Sequence, residues 1–136
     1  MARFLFRLSC AGLLGAQIFF AAVAAQAVFH SGSLERRQAG DLVGAMLARL
    51  DAGTLAFTSI AVLCAVLLGQ PRRALAPLLA GVLAALSAFA VTPAVHALRD
   101  AGETASRKFG MLHGASAALL LAEMILLAVA VWFAPV

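Results

Sequence analysis

Apolar residues fall into four long runs separated by polar links, over about 8–29, 52–69, 75–95 and 111–133. An α-helix rises about 1.5 Å per residue, so runs of this length cover the roughly 30 Å hydrocarbon core of a bilayer, the second only just and with little tilt. Irregular backbone in lipid leaves peptide groups unpaired, which makes helices the expected form of all four. The first link, from His30 to Gly40, is polar and rich in turn formers; after it Leu42, Val43, Met46, Leu47 and Leu50 recur on one helical face. That spacing predicts a short interfacial helix over 41–50, capped by Asp41 and entering the second span continuously or through a bend at Asp51-Ala52-Gly53. Gln70-Pro71-Arg72-Arg73 has room only for a tight turn, so spans two and three are antiparallel neighbours and Pro71 is expected to end the second helix. Pro93 is expected to kink or loosen the last turn of span three before a link of mixed charge from Arg99 to Lys108. The expected fold is all-α: an integral membrane antiparallel four-helix bundle, one transmembrane domain over 1–136, with the interfacial helix between spans one and two.

Composition agrees with the pattern. At 64% hydrophobic and 12% charged residues, the chain has too few polar side chains to cover the surface of a soluble domain of 136 residues, so the lipid bilayer is its first expected partner. The formal charge is +4, but Lys and Arg stand in clusters between apolar runs rather than along one polar face. That placement suits headgroups and excludes a nucleic-acid role. Cys10 and Cys64 lie inside apolar runs without metal or redox spacing and read as small packing residues.

The start of the chain also has signal-like features: Arg3, Arg7, an apolar stretch and a small-residue site at Ala25-Gln26-Ala27. The apolar stretch is longer than a signal core and contains Gln17, which favours a retained first span. The N-terminus and second link carry Arg3, Arg7, Arg72 and Arg73 without acids. The other two links carry Arg36, Arg37, Arg49, Arg99, Arg107 and Lys108, interleaved with acids, so the bare count leans slightly the other way. The positives close ahead of span one favour both termini in the cytoplasm, in a multi-pass protein of a cell membrane of the bacterial inner-membrane kind.

Glu123 is the most informative polar residue. An ionisable group near the centre of a span costs about 2.5–3.5 kcal/mol on insertion scales and turns to the bundle interior. Counting back from Phe133 puts it about 15 Å deep, near the midplane, and Gln17 falls at a similar depth on span one. Thr58, Ser59 and Ser87 give spans two and three a polar group near the same level. The pattern therefore predicts a buried layer of Gln17, Thr58 or Ser59, Ser87 and Glu123, in which a protonated Glu123 donates to Gln17; the competing reading has the hydroxyls bonding their own helix carbonyls. On span four, His113, Ser116, Leu120 and Glu123 share one face. Gly12 with Ala16, and Ala21 with Ala25, provide small-residue spacing for close helix approach.

His30, His96 and His113 fall at the membrane face of the first and third links. Three imidazoles on one side are weak candidates for binding copper or haem, without a recognisable ligand motif. The expectation is interfacial or hydrogen-bonded histidine and no bound cofactor.

Gly15-Ala16-Gln17-Ile18-Phe19-Phe20, Ala39-Gly40 and Phe109-Gly110-Met111-Leu112-His113-Gly114-Ala115-Ser116 together resemble the transmembrane protein 205-like family, or domain of unknown function 4149. The resemblance frames nearly the whole chain. It implies a four-helix membrane bundle with Gln17, His113 and Ser116 at family-typical positions, and it supplies no reaction. The family pattern often has an amide one turn after His-Gly-x-Ser, where this chain has Leu120, so Glu123 stands as the replacement. The family is also distantly similar to four-span copper-resistance and haem-related membrane proteins.

Three functional readings follow. The first is a non-enzymatic bundle, self-associating as a homo-oligomer or serving a larger complex, whose polar layer specifies packing. The second is a small transporter or permease-like protein in which a dimer encloses a cavity and Glu123 exchanges a proton for a cation or drug. The third is haem or copper handling through His30, His96 and His113.

Overall fold

A computed structural model describes residues 1–134; among them every regular element is helical. Span one comprises α1 (Ala2–Phe19), a π-helical stretch (Phe20–Ala24) and α2 (Ala25–His30). Span two is one helix, α3 (Arg36–Leu67). Span three starts with a 3₁₀ turn (Pro71–Ala74) and continues as α4 (Leu75–Leu86), a second π stretch (Ser87–Val91) and α5 (Thr92–Asp100), and span four is α6 (Arg107–Trp132). Each span is long and apolar enough to cross a membrane. At 26 to 32 residues, the helices exceed the hydrocarbon core, so their ends stand in the headgroup region.

The interfacial segment takes the continuous route. No bend occurs at Asp51-Ala52-Gly53, and the cap is Glu35 rather than Asp41: the Glu35 side chain accepts from the backbone of Gln38, whose side chain accepts from the Glu35 N–H. The second helix is ended by Gly69, not by Pro71. Gly69 takes φ +68°, and Gln70 N–H to Ala65 O and Gly69 N–H to Val66 O close the two bonds of a Schellman motif. Pro71 instead opens the 3₁₀ turn. Ser106 starts α6 by accepting from Phe109 N–H at 3.1 Å.

Pro93 acts slightly earlier than expected. Its ring conflicts with the carbonyl four residues back, on Phe89, and the π stretch is centred there; the helix then continues to Asp100.

Each span packs against two neighbours: span one against two and four, span three against two and four. The result is an antiparallel ring of four with short connections. Toward the second link the interior is filled by Phe6, Cys10, Leu13, Ala61, Cys64, Ala65, Ala80 and Leu127, and both cysteines are free and buried. Small residues allow this close approach, but the expected pair of Gly12 and Ala16 is exposed, while Ala21 and Ala25 are half-buried. A Cβ at Gly12 or Gly15 would meet nothing within 4 Å, whereas one at Gly44 would meet His96 Cε1 at 2.9 Å and one at Gly81 would meet Thr58 Oγ1 at 2.8 Å. The outer surface is apolar, with Phe4, Leu67, Phe89 and Trp132 strongly exposed, as suits lipid contact.

Candidate functional site

Near mid-depth the apolar interior gives way to polar groups. Gln17, on the buried stripe of α1 that also carries Phe6, Cys10 and Leu13, reaches across the bundle. Its Nε2 donates to Glu123 Oε2 at 2.8 Å and to Thr54 Oγ1 at 3.2 Å. The expected meeting of amide and carboxyl is present, with the amide as donor. Gln17 is fully buried and Glu123 is 1% exposed.

The remainder of the expected layer is differently composed. Thr58 is buried, but its hydroxyl donates to Thr54 O at 2.6 Å within its own helix. Ser59 follows the same local habit with Leu55 O at 2.7 Å and lies outside the layer, because one residue of helix turns it about 100° away from Thr58. Ser87 is buried and donates to Asp51 Oδ2 at 2.8 Å rather than joining Gln17. It opens the π stretch of span three.

Asp51 and Thr54 are the residues that sequence reasoning missed. Asp51 is 1% exposed and lies within electrostatic reach of Glu123, so the interior holds two carboxyl groups on different helices. A signal for both existed: Asp51, Thr54, Thr58, Ala61 and Ala65 form one stripe at i, i+3, i+7, i+10 and i+14, all buried. Reading the second span as starting after Asp51 hid that stripe.

Above this network, toward the first and third links, the bundle opens. A cavity of about 80 Å³ is bounded by Val43, Gly44, Leu47, Val95, His96 and Ser116, among others, and a larger one of about 720 Å³ lies at the mouth. The face of α6 grades with depth: His113 is exposed, Ser116 half-buried and Glu123 buried. His113 stacks on Phe109 with ring centroids 6.1 Å apart, and His30 Nδ1 bonds Gln26 O at 2.8 Å. His96 packs on Gly44. His96 and His113 line the smaller cavity, while His30 is held on its own helix; among the described residues no group of three or more His, Cys, Asp or Glu is placed to hold a metal ion.

The family model for the domain of unknown function DUF4149 matches residues 8–104. The chain belongs to this family. No curated protein and no solved structure matches it. The DUF4149 match takes in Gln17, Asp51, Thr54 and Ser87, whereas His113, Ser116 and Glu123 lie beyond its end. It supports the DUF4149 part of the expected resemblance; the likeness to transmembrane protein 205, copper-resistance and haem-related proteins rests on sequence pattern alone.

Proposed function

We propose that this DUF4149 protein is a non-enzymatic, small permease-like membrane protein whose buried acids bind and release a proton or a small cation. The observation that carries the reading is the surplus of oxygen acceptors in the interior. Asp51 and Glu123 accept from the neutral donors Ser87 and Gln17, and Gln17 Oε1 is buried without a hydrogen-bond partner. Among the described residues no Lys, Arg or His makes a hydrogen bond or ion pair with either acid.

A layer that served packing alone would be better built from self-satisfying amides and hydroxyls. An unmet buried acceptor costs about 1–3 kcal/mol, and an uncompensated intramembrane charge costs more. Protons on the carboxyls, or one cation among their oxygens, would offset both deficits. The second acid is what moves this reading ahead of the purely structural one.

The test is a flux measurement. In vesicles containing the purified protein and an internal pH dye, an imposed Na⁺, K⁺ or lipophilic-cation gradient is expected to drive proton movement. Glu123→Gln is expected to abolish it and Asp51→Asn to reduce it at least tenfold. Both variants should insert and fold. Unchanged or absent flux in the wild type and both variants alike would favour the packing role. We further assign the protein to a bacterial inner membrane with both termini cytoplasmic, supported by Arg3 and Arg7 in the first two turns of span one.

A further inference from the structure

The bundle's open end has a chemistry of its own. Its cavity of about 720 Å³ is lined by Arg36, Arg37, Arg99 and His113, with Phe29 and Phe109 among its walls. None of its described lining residues is acidic. Glu35 is engaged in the α3 capping box and Asp41 pairs with Arg99, while Asp100 and Glu103 belong to the neighbouring link without lining the cavity.

The three arginines are arranged unequally. Arg99 is fixed: its side chain is 12% exposed, and Nη1 donates to Gly40 O at 3.0 Å and to Asp41 Oδ1 at 3.2 Å. Its guanidinium lies against Gly40, where a Cβ would stand 3.4 Å from Cζ. Arg36 and Arg37 open α3, and their side chains make no hydrogen bond or ion pair with another described residue. One held and two uncommitted guanidinium groups thus face a common space, with planar forks suited to an oxyanion.

Depth and shape narrow the ligand. The cavity lies where the spans leave the hydrocarbon core. The smaller cavity beneath it shares Phe29, Gly40, Arg99 and His113 and adds Val43, Leu47 and Val95, so polarity falls from mouth to floor. A basic mouth over an apolar floor at headgroup level fits an amphiphile with an anionic head.

We propose that this vestibule binds the phosphate of an anionic phospholipid headgroup, with Arg36, Arg37 and Arg99 as its donors. The site is independent of the acid pair, and failure of one reading leaves the other standing. In the full chain purified in detergent, short-chain phosphatidylglycerol is expected to bind and raise the melting temperature, and phosphatidylcholine to do neither. Arg36→Gln with Arg37→Gln should weaken phosphatidylglycerol binding roughly 30-fold, the loss of two near-surface charges. Arg107→Gln with Lys108→Gln, exposed cations at the same end of the bundle that do not line the cavity, should leave it within about twofold. An equal loss in the two double variants would overturn the proposal in favour of diffuse attraction. Inorganic phosphate that competes at the lipid's own affinity would overturn the lipid assignment in favour of a free anion. Both double variants should keep the wild-type melting temperature in phosphatidylcholine, which separates loss of binding from loss of fold.

Discussion

At the scale of single residues, Gln17 is the hub of the interior, because one amide supplies the donors for both Thr54 and Glu123. Replacing it with Leu leaves a buried carboxyl without that donor, a change expected to cost about 1–3 kcal/mol. Removing both partners should cost less than the two single removals added together, since neither group of this contact is then left facing an absent partner. We therefore expect Gln17→Leu and Glu123→Leu, combined, to be less destabilising than the sum of the two single changes. The coupling, read from reversible unfolding in mixed micelles, should fall near the 0.6–1.7 kcal/mol known for buried membrane hydrogen bonds, with about 0.6 the average. Strict additivity would mean that the 2.8 Å contact contributes nothing to folding.

At the scale of elements, the glycines separate real helix contacts from apparent ones. Gly44 and Gly81 sit where a Cβ would strike His96 or Thr58, and Gly12 and Gly15 face open space. Gly44→Val and Gly81→Val are expected to destabilise the monomer by about 1–3 kcal/mol through overpacking, and Gly12→Val to leave it nearly unchanged, as thermal melts of the detergent-solubilised protein would report. If Gly12→Val instead breaks up an oligomer without lowering monomer stability, the small face of span one is an intermolecular contact. The same elements explain how far the sequence could be read. Lipid-length apolar runs are hard to mistake, so the four spans and their antiparallel order were legible. The depths of Gln17 and Glu123 were legible too, because both could be counted from clear helix ends. Asp51 was not: Gly53 and the polar link before Asp41 suggested a bend, and only the uninterrupted α3 turns Asp51 inward onto Ser87. Ser59 shows the converse error, since depth without helical phase cannot tell an inward hydroxyl from an outward one.

At the scale of the whole molecule, the two ends of the bundle differ. Alanines, cysteines and Phe6 fill the interior toward the second link, where a cavity of about 350 Å³ is lined by Arg72 and Arg73, whereas the other end opens into the larger arginine-lined vestibule of about 720 Å³. We therefore expect water and ions to reach Asp51 and Glu123 from the side of the first and third links. Four crossings fix which loops share that side, and exposed single cysteines report it directly. The native Cys10 and Cys64 are buried and should contribute little background. Ser33→Cys and Thr104→Cys are expected to react with a membrane-impermeant maleimide from one side of sealed vesicles, and Arg72→Cys only from the other. With the N-terminus cytoplasmic, the first pair lies outside. Half-buried Ser116, two helical turns above Glu123 on α6, makes the decisive position. As a cysteine it should be modified from the same side as Ser33→Cys, more slowly, and faster when Val43→Ala widens the smaller cavity. Modification of Ser116→Cys only from the side of Arg72 would mean that the open end is sealed in the membrane and that the acids are reached through the alanine-packed half instead.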